Sequence, residues 1–406
     1  EINSRNDHAW RWKGQAFDKL QHYDDAIISY DKAIEINPIN HFAWLWKGNV
    51  LEKIQRYEEA SVYYDKVIKI NPDDDSGYFW KGNVLDKLQR YEDAIVYYDK
   101  VLEINPKDND TWLLKGNVLE SLQRYEEAIV CYNKAIIIDP TNENAWFWKG
   151  YILDKLQRYE DAIVCYKKVL KLNPKDNCAW RWKGFSLEKL QRYDDAIVCY
   201  NKAIEIEPND QYAWLWKGCD LVELQCYEEA VDVFKHLLSI DTEILLTKFY
   251  LVFLYRDILG KQDDAVDLFD SIDKQTMTQN WLYSLSKAVF ELYNRNEGLA
   301  KEALLQTFSI LVKEDGLLSI ANNHWWRKIG GTILKLGYGA WFLAVLEEQT
   351  YDVVLSPYYT AIKTLELEKQ NIKNAKEEAE IYLKNRAIEI SEPARLIIQD
   401  IRKYTD

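Results

Sequence analysis

The chain has 406 residues and a formal charge of −14, from 52 Lys and Arg against 66 Asp and Glu, and that balance repels a phosphate backbone unless charge is strongly segregated. No apolar run of about 18 residues suggests a membrane span. The six cysteines include no Cys-x2-Cys pair and the five histidines are scattered, which argues against a metal centre and for free thiols in a reducing cytoplasm, with no nucleic-acid or membrane partner.

From residue 7 onward one 34-residue unit is written seven times without insertion, over 7–40, 41–74, 75–108, 109–142, 143–176, 177–210 and 211–244. The first copy reads Trp10-x2-Lys13-Gly14-x2-Phe17, then Ala26-x3-Tyr30, then Pro38. Gly14, Gly48, Gly82, Gly116, Gly150, Gly184 and Gly218 recur in register with Ala26, Ala60, Ala94, Ala128, Ala162, Ala196 and Ala230. This is the residue order of a helix–turn–helix repeat of that period, and it resembles the tetratricopeptide repeat family. The resemblance covers 1–244 and implies an all-α fold, a right-handed superhelix (α-solenoid) whose concave groove receives peptides or protein surfaces. Residues 1–244 carry 32 basic and 43 acidic side chains, and 245–406 carry 20 and 23, so the excess charge falls mostly on the repeats.

In the third copy, helix A is expected from about Ser76 to Leu88 and helix B from about Glu92 to Ile104, with Asp74 capping the first and Pro106 stopping the second. Glu92 and Asp93, like Glu58/Glu59, Glu126/Glu127 and Glu160/Asp161, sit in the first turn of helix B, where carboxylates complement the helix dipole. Gly82 and Ala94 are small where the two helices are expected to cross. The turn between the helices reads Leu88-Gln89-Arg90-Tyr91 in place of the family's usual glycine, which predicts a stiffer turn. Lys13, Lys47, Lys81, Lys115, Lys149, Lys183 and Lys217 occupy a position the family usually gives to leucine, and their stems are expected to pack on the core.

Helical residues advance roughly 100° each, so residues two apart point about 160° away from one another. With Trp10, Gly14 and Phe17 on the buried stripe, Trp12, Trp46, Trp80, Leu114, Trp148, Trp182 and Trp216 fall on or beside the opposite one, which lines the groove in the family. Two readings stand open: each indole packs sideways against the next helix A, or the row offers an aromatic wall to a partner. On the same stripe stand Gln15, Asn49, Asn83 and Asn117, then Tyr151, Phe185 and Cys219. An asparagine ladder can pair with donor and acceptor of an extended backbone, as in related solenoids; the alternative is a solvated polar row. The candidate groove residues are therefore Asn49, Asn83, Asn117, Trp46, Trp80, Trp148, Tyr151, Trp182, Phe185 and Trp216. Asp18, Glu52, Asp86, Glu120, Asp154 and Glu188 border them, either attracting basic ligand groups or pairing with Arg56, Arg90, Arg124, Arg158 and Arg192 four residues on.

After Ile244 the register fails, although Ala265 in Asp-Asp-Ala-Val-Asp-Leu-Phe still looks like a worn helix B. Amphipathic stretches near 278–294, 298–313, 358–369, 371–389 and 392–404 predict degenerate helical repeats that cap the last regular one over 245–406, with Ser391-Glu392-Pro393 as a helix start. Trp325, Trp326, Trp341 and Phe342 read as core, and Gly337-Tyr338-Gly339-Ala340 as a local break. The segments around Pro357-Tyr358-Tyr359 and Glu392-Pro393-Ala394-Arg395 resemble the ends of repeat arms in prokaryotic STAND-type signalling ATPases. Glu1 stands where an initiator methionine would, which favours a piece of a longer protein with additional domains. No phosphate loop, nucleophile elbow or His-Glu-x2-His motif is present, so neither catalysis nor a cofactor is expected. The expected function is a binding scaffold for a protein or peptide with basic and apolar side chains; the alternative is the sensing arm of a larger STAND-type ATPase or other effector.

Overall fold

The structure, a computed structural model, describes residues 6–241, 245–272 and 281–314, with single positions between 332 and 363. The chain divides into two compact units, Glu1–Ala230 and Val231–Asp406. Among the described residues every regular element is helical. The A helices of the seven repeats are α1 (Asp7–Lys19), α3 (His41–Lys53), α5 (Asp75–Lys87), α7 (Asn109–Ser121), α9 (Glu143–Lys155), α11 (Asn177–Lys189) and α13 (Gln211–Glu223). The B helices are α2 (Tyr23–Ile36), α4 (Tyr57–Ile70), α6 (Tyr91–Ile104), α8 (Tyr125–Ile138), α10 (Tyr159–Leu172), α12 (Tyr193–Ile206) and α14 (Tyr227–Ile240). In the third copy both helices start one residue ahead of expectation.

The two helix types start differently. Each A helix is capped by a side-chain oxygen: Asp74 accepts from the Ser76 N–H, Asp108 from Thr111 and Asn142 from Ala145. B helices have arginine at the capping position from α4 through α12 and no side-chain cap. The acidic first turn takes over, and each arginine reaches forward three residues: Arg56 to Glu59, Arg90 to Asp93, Arg124 to Glu127, Arg158 to Asp161 and Arg192 to Asp195. This corrects the pairing of those arginines with Glu52 and its equivalents. The guanidinium stands at the start of helix B, where the nearest carboxylates are those of its own first turn.

Between A and B the expected stiff turn takes a left-handed residue after all, borne by glutamine: Gln21, Gln55, Gln89, Gln123, Gln157, Gln191 and Gln225 have φ between 58 and 63°. The turn closes with Gln89 N–H donating to Asp86 O at 2.8 Å and Arg90 N–H to Leu85 O at 2.8 Å. At the crossing, Gly82 makes room for one ring: a Cβ there would stand 2.7 Å from Tyr98 Cε1. Tyr30, Tyr64, Tyr98, Tyr132, Tyr166 and Tyr200 are all fully buried beside alanines that are equally buried. Each such ring contributes on the order of 2–3 kcal/mol by burial.

Helices pack in chain order from α1 on α2 to α12 on α13, and A helices also touch the next A helix, α1 with α3, α3 with α5, α7 with α9, α9 with α11 and α11 with α13. The A helices therefore line the inner side of the stack and the B helices the outer. The lysines behave as expected of buried stems. Lys47 and Lys81 are buried and reach Asp31 and Asp65 on the preceding B helix, as Lys115 reaches Asp99. From the fifth copy on, the carboxylate is replaced by Asn133, Lys167 and Asn201, and Lys149, Lys183 and Lys217 sit over the rings of Trp146, Trp180 and Trp214 at 5.5, 4.7 and 5.3 Å.

In the second unit, α15 (Leu245–Phe253) runs into a π-helical turn over Leu254–Ile258 and is followed by α16 (Gln262–Asp270), α17 (Trp281–Tyr293) and α18 (Glu297–Glu314). Arg295, with φ 60°, closes the α17–α18 turn as Gln89 does, and Gly260, with φ 65°, stands between α15 and α16. Ala265 and Ala300 are fully buried at the positions Ala94 would predict. A buried pair, Arg256 with Asp257, ties the π-helical turn to the Ser286 carbonyl of α17. Phe342 is buried, as expected of core. Trp325, Trp326, Trp341, the stretches from 358 to 404 apart from Ile362 and Lys363, and both STAND-like segments lie outside the described residues. Of the local break, only Tyr338 is described.

Candidate binding surface on the A helices

The candidate residues all lie on A helices, and the structure separates them into two groups with different chemistry. In α3, α5 and α7 the asparagine side chains point their oxygens inward. Asn49 Oδ1 accepts from the Tyr64 hydroxyl at 2.7 Å, Asn83 from Tyr98 at 3.0 Å and Asn117 from Tyr132 at 2.9 Å. The carbonyl half of each amide is thus committed to a buried tyrosine, and Asn49 is itself buried. The N–H2 half of Asn83 and Asn117 takes no part in these bonds. The tyrosine hydroxyls are pushed well above their ordinary pKa by burial and remain neutral donors.

In α9, α11 and α13 the asparagines give way to Tyr151, Phe185 and Cys219, and the buried tyrosines change partner. Tyr166 donates to Asp154 Oδ2 at 2.7 Å, while Ser186 donates to the other oxygen at 2.7 Å. Burial raises the Asp154 carboxyl to about 6, with the Ser186 and Tyr166 hydrogen bonds pulling it back. Tyr200 donates to Glu188 at 3.3 Å. The freed stripe carries a continuous run of rings. Trp148 meets Tyr151 at 5.7 Å, Tyr151 meets Trp182 at 5.1 Å, and Trp182, Phe185 and Trp216 form a triangle with centroid distances of 5.3, 5.9 and 5.3 Å. Most contacts in the run are edge-on, the geometry aromatic quadrupoles favour.

The indoles do pack sideways: Trp46, Trp80 and Trp216 lie against the preceding repeat, and Trp182 also meets Trp216 of the next A helix. Trp46 lies on the cluster of Ala26, Tyr30 and Val50, Trp80 on that of Leu45, Leu51 and Tyr64, and Trp216 on that of Leu187 and Tyr200. The reason is helical: Trp46 shares a stripe with Ala43 and Val50, three residues before it and four after. Trp46, Trp80, Trp148, Trp182 and Trp216 are half-buried, so one edge of each ring is held in a joint and part of it stays accessible.

The bordering carboxylates are engaged by lysines that the residue pattern did not single out. Lys53 Nζ lies 2.7 Å from Asp18 and Lys87 Nζ 2.7 Å from Glu52, while Lys155 and Lys189 stand over Tyr151 and Phe185 at 5.1 and 4.7 Å. Their signal was present: a lysine follows the acidic residue directly in Asp18-Lys19, Glu52-Lys53, Asp86-Lys87, Asp154-Lys155 and Glu188-Lys189. Lys53 and Lys87 reach to the acid of the repeat before them, while Lys189 pairs with its own neighbour Glu188 at 2.9 Å.

Comparisons agree with this architecture. Sequence profiles described as Tetratricopeptide repeat match residues 8–40, 29–60, 143–176 and 178–210, a profile described as TPR repeat matches 116–157, and the profile of anaphase-promoting complex, cyclosome, subunit 3 matches 53–135. The chain belongs to the tetratricopeptide repeat family. No curated protein matches it. Among solved structures, YrrB, a TPR protein with an unusual peptide-binding site, is 23% identical over 45% of this chain and 95% of its own, with a TM-score of 0.41. A tetratricopeptide repeat protein of Parabacteroides merdae is 16% identical over 60% and 97%, with a TM-score of 0.46. PilF of Pseudomonas aeruginosa is 17% identical over 54% and 97%, with a TM-score of 0.44. No helix among the described residues is long and apolar enough to cross a membrane.

Proposed function

We propose that this tetratricopeptide repeat chain is a non-catalytic scaffold that binds a protein or peptide on the inner face of its A helices. The observation that carries the reading is the unbroken ring run from Trp148 to Trp216, half-buried and accessible along one edge. Such a surface suits apolar and aromatic side chains of a ligand. Next to it, the N–H2 groups of Asn83 and Asn117 suit backbone carbonyls of the same ligand as it passes over α5 and α7. Because Asp18 and Glu52 are already paired, apolar contact supplies most of the affinity; basic ligand groups gain only where they displace Lys53 or Lys87 from their carboxylates.

The test is selection of binders from a displayed peptide library, followed by titration of the selected peptides. Enrichment in aromatic and aliphatic residues is expected, with loss of binding in Phe185→Ala. Asn83→Asp with Asn117→Asp keeps an acceptor for Tyr98 and Tyr132 while replacing the outward donors by carboxylate oxygens and adding two negative charges, so binding through backbone carbonyls should fall several-fold. Peptides that bind both variants as they bind the parent chain would place the site elsewhere.

A further inference from the structure

The exposed side of each B helix mixes signs in its second half. On α4 it carries Asp65, Lys66 and Lys69, with Asp73 in the loop that follows, and on α6 the same places hold Asp99, Lys100, Glu103 and Lys107. Where an acid stands one turn from a lysine the two pair, Lys100 with Glu103 and Lys202 with Glu205. On α10 all four places are basic. Lys167, Lys168, Lys171 and Lys175 are exposed, and none has a carboxylate within ion-pair reach among the described residues. Val164, 53% exposed, lies on the same stripe of the helix, three and four residues ahead of Lys167 and Lys168.

The helix dipole favours a cation in the last turn, which accounts for Lys171. It does not account for Lys167 and Lys168, which stand ahead of that turn and repel Lys171 from one turn away. The joint with the next repeat carries the same excess. Asp31, Asp65 and Asp99 receive Lys47, Lys81 and Lys115, but Lys167 stands where Lys183 would find its carboxylate. Both ammonium groups act on the buried Cys199 thiol, drawing it down against the upward push of burial, and Asp195, which also acts on it, is held by Arg192.

We propose that the stripe of Val164, Lys167, Lys168 and Lys171, continued by Lys175, is a docking surface for a short acidic segment of a partner protein, in which carboxylates and an aliphatic side chain lie within one turn. The assignment rests on charge complementarity, since this is a concentrated positive patch on a chain of net charge −14 and it is not neutralised from within. The same charge map disfavours a nucleic acid. Glu160 and Asp161 open α10 itself, and Glu126, Glu127, Asp194 and Asp195 open the B helices before and after it. A phosphate chain running out of the patch meets those carboxylates, whereas a short segment ends inside it. The stripe is on the B helices and does not depend on the ring run of the A helices.

Fluorescence anisotropy of the full chain with a labelled peptide, in which each leucine is followed by two glutamates, tests this. Saturable binding is expected at low ionic strength, weakened about tenfold or more by Lys168→Glu with Lys171→Glu. Lys66→Glu with Lys69→Glu makes the same charge change at the same places on α4, between Asp65 and Asp73, and should leave binding unchanged. All four lysines are exposed, so both double variants should melt with the parent chain. Phe185→Ala should also bind this peptide normally, which separates the outcome from that of the inner-face reading. Absence of binding, equal weakening by the two double variants, or equal binding of a peptide with glutamine for glutamate overturns the inference. A single-stranded oligonucleotide that binds as tightly as the acidic peptide overturns it too, because the patch would then take phosphates.

Discussion

At the level of single residues, the seven left-handed glutamines are a standing cost. A side chain in that region is strained by roughly 1–2 kcal/mol, while glycine removes the strain and gives back about 0.5–1 kcal/mol in unfolded-chain entropy. Gln89→Gly is therefore expected to stabilise by a few tenths to about 1 kcal/mol, read as a higher urea midpoint; a lower midpoint would show that the glutamine side chain contributes more than its backbone costs. Asp220 is a second cost. It is 1% exposed, neither carboxylate oxygen has a hydrogen-bond partner, and it stands where other copies have Val50, Val84, Val118 and Ile152. Burial, with Glu188 adding, pushes its carboxyl up to about 9. An unfolded aspartate ionises near pH 4, so between about 4 and 9 the folded chain holds a proton that the unfolded chain has released, and stability falls as pH rises through that window. Asp220→Val should raise the denaturation midpoint at pH 8 by clearly more than at pH 5, and an equal gain at both would refute the linkage.

At the level of the helix pair, stability sits in the crossing and the joint, not in surface ion pairs. Ala94 is fully buried beside Tyr98, and its replacement by tryptophan forces the helices apart. Arg90 makes an exposed pair with Asp93, of a kind worth at most about 1 kcal/mol. Ala94→Trp should lower the urea midpoint markedly and Arg90→Ala hardly at all; similar midpoints would contradict the observed register. In the joints, Trp44, Trp112, Trp146, Trp180 and Trp214 each donate from Nε1 to the carbonyl of the proline six residues earlier, at 2.8 to 3.1 Å. Trp112→Phe keeps most of the ring and loses this latch, a change expected to cost about 0.5–1.5 kcal/mol in chemical denaturation. The third repeat, with Tyr78 in place of tryptophan, lacks the latch and packs Tyr78 against Tyr97 at 6.4 Å instead.

For the molecule as a whole, the proposed ligand surface and partner class rest on how the repeats stack. Rings alone would suit stacked bases, but single strands also need positive charge along the backbone path. Here Lys53 and Lys87 are neutralised by Asp18 and Glu52, and the net charge is −14. No shift of mixed-sequence RNA or DNA is expected in an electrophoretic assay at physiological salt, whereas a selected peptide should bind with only moderate salt dependence. Sub-micromolar nucleic-acid affinity at that salt would overturn this assignment of partner class.

The repeat period, the helix pairs, the small residues at the crossing and the helix starts were all legible in residue order, because each depends on contacts within 34 residues and is written out again in every copy. The second unit was half legible: Ala265 is buried near a helix start as its pattern predicts, but the buried Arg256 and Asp257 carried no pattern to read. Candidate groove residues could be assigned to a stripe but not to a role. Whether Asn83 turns its oxygen inward depends on Tyr98, fifteen residues on, and whether Glu52 is free depends on Lys87, thirty-five residues on. Periodicity assigns a residue to a face of its own helix. Only the packing of helix on helix, within a repeat for Asn83 and between repeats for Glu52, decides which atoms on that face are already spoken for, because those partners come from a neighbouring helix whose approach no local spacing encodes.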